Sequence, residues 1–332
     1  MTVVGTREAE GVDHPAVRAW RRLRPQSSAR SVAVETLQKR KKGKVYLLGG
    51  GGPGGGDVVA KWSSGERVRR EALAYERVLP SLPVSRVRHY GTLAEEDGWW
   101  LFLAHAGGEA YSNKNVEHRS VAGLWLGVLH TAAAQASSLP PVPARGPDYY
   151  LEEMESGRAD VLAQLANPAL TRADVALLTE VVSQCEVVAS RWSEVASVCR
   201  LTPPTFVHGD FAPKNMNVEG GPGAERLRPF DWASSGWGTP AADLPQLDLT
   251  RSDYWASPDL DAYHSIVARS WPSLSRRDVF ALSLIGKVLR TLVCIRLEAP
   301  GLASDWPEAS MKDMRYYRAD LRDALRQTGW EG

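Results

Sequence analysis

Apolar residues in the first hundred positions come in short runs broken by charge and glycine. Val32 to Leu37, Val45 to Leu48 and Val58-Val59-Ala60-Lys61 are short and rich in β-branched or aliphatic residues, which predicts strands. Trp99-Trp100-Leu101-Phe102-Leu103-Ala104 is a further apolar strand. Between the last two the period changes. Val68, Ala72, Tyr75 and Leu79 recur at helical spacing within Glu66 to Leu79. Beyond residue 105 the pattern is mainly helical. Glu117 to Ser137 places Val121, Leu124, Trp125, Val128 and Ala132 on one stripe, and Asp174 to Ser197 and Ser283 to Leu297 read as amphipathic core helices. Two β-like runs interrupt them, Thr205-Phe206-Val207 and Leu227 to Phe230, and each runs into an acid.

Composition narrows the class. With 332 residues and 43% hydrophobic content the chain can bury a large core, and two lobes are a natural partition. No apolar run approaches the roughly eighteen residues of a membrane span, so no membrane partner is expected. Met1 to Gly11 are polar and carry acids, unlike a secretory signal. The three cysteines, Cys185, Cys199 and Cys294, are unclustered, which points to a reducing cytoplasm and to no metal knuckle. Residues 1–105 carry 18 Lys and Arg against 11 Asp and Glu, whereas residues 106–332 carry 22 against 28. A basic first lobe and a mildly acidic second suit an anionic substrate on one and a polar acceptor, cationic molecules among the candidates, on the other. Nothing has the spacing or aromatic interleaving of a nucleic-acid surface.

The chemistry concentrates in Val207-His208-Gly209-Asp210-Phe211-Ala212-Pro213-Lys214-Asn215 and in Pro229-Phe230-Asp231-Trp232. Asn215 follows Asp210 by five residues, a spacing that lets one short loop turn both side chains toward one point. A hairpin made of Met216-Asn217-Val218, a glycine-rich turn and Leu227 to Phe230 would bring Asp231 back beside them. Metal-assisted phosphoryl transfer needs such a set: one acid to orient a hydroxyl, an amide and a second acid to hold magnesium. The segment resembles the catalytic core of the aminoglycoside phosphotransferase and choline kinase group, which reads H-G-D-x-x-x-x-N and then D-[WFL] in a protein-kinase-like fold. Gly238-Thr239-Pro240-Ala241-Ala242-Asp243-Leu244 follows as in that family.

The resemblance implies an α+β, two-lobed fold: a β-rich nucleotide lobe over 1–105 and a larger, mainly helical lobe over 106–332. It implies ATP and Mg2+ as cosubstrate and metal, a small hydroxylated acceptor, and these roles. Asp210 orients or deprotonates the acceptor hydroxyl. Asn215 and Asp231 bind magnesium. Lys61 holds the ATP phosphates, as does the lysine of the corresponding kinase strand. Periodicity leaves Glu71 and Glu76 equal as its partner; Arg70-Glu71-Ala72, similar to the family's R-E-A, selects Glu71. By register with the family Leu103 backs the adenine, and Ala104 and Ala106 supply a carbonyl and an amide. His208 and Asp243 brace the loop, and His130 is a packed structural residue. A protein kinase is disfavoured, because the motif is His-Gly-Asp and no Ala-Pro-Glu follows Asp231. A non-catalytic, nucleotide-binding or regulatory relative is the alternative.

Gly49 to Gly56 invites a phosphate-loop reading that fails. No Gly-Lys-Ser/Thr and no helix follows, and the gap to Lys61 cannot hold another strand and turn. The run is expected to be a flexible hairpin tip joining two strands. The basic stretch Gln38-Lys39-Arg40-Lys41-Lys42-Gly43-Lys44 then stands as the phosphate loop or as a solvated loop. Tyr149, Tyr150, Glu152 and Glu153 either line an acceptor cleft or begin a solvated helix. Tyr254-Trp255, Trp237 and Trp271 are candidates for stacking a ring or caging an ammonium.

Overall fold

The computed structural model describes residues 7–8, 13–25, 32–40, 43–136, 138, 140–221, 223–246 and 255–330. Lys41, Lys42, Tyr254 and most of Met1 to Gly11, singled out above, lie outside the described residues. The chain divides into two compact units. The first comprises Met1–Tyr111, Ser138–Val142 and Lys214–Ser235, and the second Ser112–Ser137, Pro143–Pro213 and Gly236–Gly332. This corrects the consecutive halves 1–105 and 106–332. The hairpin Met216–Glu219 (β10) with Arg226–Pro229 (β11) returns to the first unit because β10 pairs with Glu109–Ala110 (β7).

The main sheet of the first unit is antiparallel throughout, in the order β1-β2-β3-β4-β6-β5. Its strands are Arg7–Glu8 (β1), Ala33–Arg40 (β2), Gly43–Gly49 (β3), Val58–Ser63 (β4), His89–Glu95 (β5) and Gly98–Ala104 (β6). Alternation divides its two faces. Tyr46, Leu48, Val58, Ala60, Trp100 and Phe102 are buried with Ala16, Val17, Ala19 and Trp20 of helix α1 (Pro15–Leu23). On the other face Lys61 lies opposite Val45 and Leu101, and Val59 opposite Leu47 and Leu103. The sequence reading passed over α1, whose nine residues are too few for a clear period.

Two expectations about loops change. Strands β2 and β3 run on to Arg40 and Gly43, which are directly paired, so Gln38, Lys39 and Lys44 belong to the ladder and not to a seven-residue loop. Lys44 lies over the Trp62 ring, 5.3 Å from its centroid. The glycine run does connect β3 and β4, yet it is held and not loose. Gly52 N–H donates to the Gly56 carbonyl (2.7 Å), Gly50 N–H to Asp57 Oδ1 (2.9 Å), and the buried Trp20 Nε1–H to the Gly51 carbonyl (2.7 Å). A side chain at residue 52 would meet the Gly56 carbonyl at 2.7 Å, so this position needs glycine for close approach.

After β4, helix α2 (Gly65–Leu73) carries Glu71 and passes into a wider π turn over Ala74–Val78. The second unit is mainly helical: α3 (Val116–Gln135), α4 (Pro147–Gln164), α5 (Arg172–Ser190), α6 (Trp192–Cys199), α7 (Leu260–Val267), α8 (Arg276–Glu298) and α9 (Glu308–Thr328). A small sheet joins Ala144–Arg145 (β8), Gly236–Gly238 (β12) and Thr205–Val207 (β9). Capping boxes start α5 (Thr171 with Asp174) and α8 (Ser275 with Asp278), each satisfying otherwise orphan amides. The expected stripe on α3 is corrected. Leu124 is exposed, and the buried face runs through Ala122, Trp125, Leu126, Leu129, His130 and Ala133. Gly123 and Gly127 decide this, because a Cβ there would strike the Asp259 carbonyl (2.2 Å) and Ile266 Cβ (2.7 Å) at helix α7. The aromatic expectations resolve toward packing: Trp255, Trp271 and Tyr150 are buried, and Tyr149 lies under the Arg145 guanidinium at 4.2 Å. Among the described residues no helix is long and apolar enough to cross a membrane.

Trp20→Phe keeps the ring in the α1–sheet core but removes the bond to Gly51. Urea denaturation should show a loss of about 1–3 kcal/mol, the cost of a buried carbonyl deprived of its donor.

Candidate active site

Strand β4 delivers Lys61 to the face that α1 does not cover, and the last turn of α2 delivers Glu71 to the same point. Lys61 Nζ lies 2.7 and 2.9 Å from the Glu71 carboxylate oxygens and 3.0 Å from Asp231 Oδ1. Burial works against the charge on Lys61, but Glu71 and Asp231 outweigh it and hold its pKa above the ordinary lysine value. Glu71 is buried and unlike Glu76 reaches the lysine, so the choice between them is made by geometry. Burial pushes the Glu71 carboxyl upward against the pull of Lys61. Arg67 precedes Glu71 by one helical turn on the same face of α2. Its Nη2 stands 3.5 Å from Asp231 Oδ1. The sequence reading did not pick out Arg67.

The β10–β11 hairpin sets Asn215 and Asp231 at its open end. Met216 pairs with Pro229, and Phe230 N–H donates to the Asn215 carbonyl at 2.9 Å. Asp231 itself is left-handed (φ 65°, ψ 58°), a conformation that costs a non-glycine residue and that aspartate tolerates better than most. Asn217 Nδ2 donates to the Gly107 carbonyl (2.8 Å), tying the hairpin to the segment after β6. Gly108 has φ 63°, and a Cβ there would lie 2.0 Å from the Val218 carbonyl, which accounts for a glycine at this crossing. Leu103 is buried on the Lys61 face, while the Ala104 amide is taken by the Arg88 carbonyl (2.8 Å). One carboxylate and one amide fit magnesium, which takes one or two protein oxygens and completes its shell with phosphate and water. Among the described residues no cluster of three His, Cys, Asp or Glu offers another metal site.

In the second unit Asp210 follows strand β9, in a loop that the buried Asp243 organises. Asp243 Oδ2 accepts the His208 amide (2.7 Å) and Oδ1 the Gly209 amide (2.8 Å). His130, fully buried on α3, approaches Oδ2 with Nε2 at 3.4 Å and meets the Tyr263 hydroxyl with Nδ1 at 3.1 Å. Burial alone would raise the Asp243 carboxyl, but His130 and His208 overcome it and hold its pKa below the ordinary range. Asp210 N–H donates to His208 Nδ1 at 3.3 Å. The Asp210 carboxylate meets a residue that sequence reasoning missed: Arg290 of α8, Nη2 to Oδ1 2.7 Å. A signal existed, since Lys287 and Arg290 are cations inside the apolar run of a core helix, where they need partners. Lys287 pairs with Asp323, as Arg290 does with Asp210. All three cysteines are buried, and burial pushes Cys185 up to about 12 and Cys199 up to about 11, away from the thiolate form.

The fold and these residues define a phosphotransferase of the protein-kinase-like class. The sequence model of the phosphotransferase enzyme family matches residues 43–278, and the chain belongs to that family. Among solved structures, choline kinase from Cryptosporidium parvum Iowa II is similar with a TM-score of 0.59 and 13% identity, over 90% of this chain and 91% of that one. A microcompartment-associated aminopropanol kinase is similar at 0.59 and 14%, over 90% and 93%. A spectinomycin phosphotransferase in complex with ADP and spectinomycin is similar at 0.54 and 8%, over 88% and 92%. At these identities the likeness is one of fold. No curated protein matches the sequence.

Asp243→Asn offers one acceptor oxygen where two amides now find one each, and it sets an amide hydrogen against a backbone N–H. It should destabilise the protein by about 3 kcal/mol, the scale of breaking a buried charge network. The sign with pH follows from the lowered folded-state pKa. The Asp243 contribution is complete above the ordinary carboxylate range and is lost as pH falls through the lowered value. Urea unfolding across a pH series should therefore give the variant a flatter acid limb than the parent.

Proposed function

We propose that this protein transfers the γ-phosphoryl group of ATP to a hydroxyl of a small molecule. The observation that carries the reading is the Lys61 ammonium held between Glu71 and Asp231 at 2.7 and 3.0 Å. A lysine fixed in that way is placed to bind the α- and β-phosphates of a nucleotide, with Glu71 maintaining its position and charge. Leu103 and the backbone of Ala104 and Ala106 hold the adenine. Asn215 and Asp231 hold Mg2+, which when bound neutralises charge on the transferring phosphate. Asp210 aligns the acceptor hydroxyl and takes its proton as the O–P bond forms.

Choline, aminopropanol and spectinomycin name the similar kinases, and each carries a hydroxyl and an amine or quaternary ammonium group. Here the Asp210 charge is already answered by Arg290, which weakens the case for an ammonium bound directly against that carboxylate. The acceptor class is therefore a hydroxylated small molecule, with its cationic character left to a panel of antibiotics, amino alcohols and sugars. Acceptor-stimulated ADP release from the purified protein is the direct test. Nucleotide binding without transfer to any acceptor would favour a non-catalytic relative instead.

Two substitutions separate the roles. Asp210→Asn should leave Mg-ATP affinity near that of the parent and lower turnover by on the order of a hundredfold or more. Asp231→Ala should instead lose magnesium-dependent ATP binding in calorimetry, with Asn215→Ala milder because a neutral ligand is removed. Unchanged Mg-ATP affinity in Asp231→Ala would remove the metal assignment.

Arg290 should act on turnover through Asp210. Arg290→Met is expected to lower kcat on the order of a hundredfold, the scale of a misplaced catalytic group, while the ATP KM stays within a few fold. Arg290→Lys should recover part of the loss, because an ammonium restores charge without the planar fork. Equal effects of Met and Lys on kcat would make the pair a packing contact.

A further inference from the structure

The first unit contains a polar cavity of about 510 Å³, within the size range of small-molecule pockets. Its wall includes Arg86, Arg88, Arg226, Arg228, His89 and Tyr75. Four arginines line one space, and their charges repel one another unless anions answer them. Glu219 answers Arg228, whose Nε lies 2.9 Å from Oε2, and Arg228 Nη1 donates to the Arg86 carbonyl at 2.7 Å. Arg86 reaches the Leu79 carbonyl at 3.4 Å, and Arg88 lies over the Tyr90 ring at 5.4 Å. Among the described residues no carboxylate pairs with Arg86, Arg88 or Arg226.

A second observation points the same way. The Tyr75 hydroxyl, turned toward the Asp231 backbone, and His89 Nε2 are buried and make no close hydrogen bond among the described residues. Their rings are stacked, with centroids 5.9 Å apart and planes 12° from parallel, and His89 Nδ1 faces Glu76 Oε1 at 3.7 Å. Buried polar atoms without partners cost about 1–3 kcal/mol each, and native proteins rarely keep them without a reason. A phosphate oxygen can accept from the Tyr75 hydroxyl, and a singly protonated phosphate can donate to His89 Nε2, whose Nδ1 is turned to Glu76.

We propose that this cavity binds a small phosphorylated molecule through its phosphate, with Arg86, Arg88 and Arg226 supplying the charge. Arginine is suited to this because its planar donors match phosphate oxygens in pairs. The wall is connected to the residues described above. Tyr75 lies four residues after Glu71 on the same helical segment, and Arg228 lies three residues before Asp231 at the end of β11. A bound phosphate therefore braces the segment that carries Glu71 against the strand that carries Asp231.

The test uses the full chain and calorimetric titration with inorganic pyrophosphate and, separately, ribose 5-phosphate, each with and without saturating AMP-PNP. Binding is expected to persist under AMP-PNP and to weaken at least about tenfold in Arg86→Ala/Arg226→Ala, a loss of two charge-assisted contacts. Both arginines are exposed, so the double variant should unfold at the parent temperature when no ligand is present. Pyrophosphate should raise the unfolding temperature of the parent and not of the variant. Tighter binding of ribose 5-phosphate would identify an organic phosphate as the better fit. Binding that AMP-PNP displaces, or that the double variant leaves unchanged, would assign the phosphate to the nucleotide site and overturn the proposal, as would no binding at all. None of these outcomes depends on whether the protein transfers phosphate.

Discussion

A lysine charge held out of bulk water is the constraint on which the first unit is built. Burial works against the proton on Lys61, and the two carboxylates that outweigh it come from different elements. Glu71 needs α2 to lie against β4, and Asp231 needs the β10–β11 hairpin to return to the same unit. One ammonium thus ties a strand and the helix that follows it to a hairpin 170 residues further along the chain. The same logic explains why the left-handed backbone of Asp231 is tolerated. Its strain, of order 1–3 kcal/mol, is set against two cations that fix its side chain.

The second unit uses a different device for the same end. There a carboxylate is buried, and its charge is spread over backbone amides and imidazoles in place of a flexible side chain. Asp243 grips two consecutive amides of the loop, so the backbone leading into Asp210 is fixed by two buried hydrogen bonds. Arg290 then fixes the side chain of Asp210 from a long helix whose own position is set by core packing. Preorganised groups of this kind lower barriers because they need no rearrangement as charge develops.

How much of this the sequence disclosed depended on whether the signal was local. The order Asp210, Asn215, Asp231 and the strand ending in Lys61 are short-range patterns and could be read directly. The hairpin returning Asp231 beside Asn215 followed from the length between them and is found as β10 and β11. Four features were hidden for physical reasons. Helix α1 is too short for periodicity and is anchored by one indole bond to a glycine loop thirty-one residues away. The buried face of α3 was misread because the helix is apolar nearly all round, and the deciding residues, Gly123 and Gly127, act by having no side chain. The basic stretch around Lys44 looked like a loop because its charges masked a two-stranded ladder. Arg290 was invisible because its partner lies eighty residues away, and only its presence in an apolar helix marked it.

Arg290 also changes what the acidic second half of the sequence means. A net excess of acids over residues 106–332 favours cationic acceptors only if those acids are available near Asp210. The structure commits several elsewhere: Asp174 to the start of α5 and to Arg315, Asp323 to Lys287 and Arg326, Glu180 to Arg318 and Arg322, Asp243 to the loop amides. Asp210 itself faces a guanidinium that is almost wholly buried. Charge counted along a chain and charge presented to a substrate are therefore different quantities. In this protein the second is set by which carboxylates the helices have already claimed, and a neutral or mixed-charge acceptor fits that account as well as a cationic one.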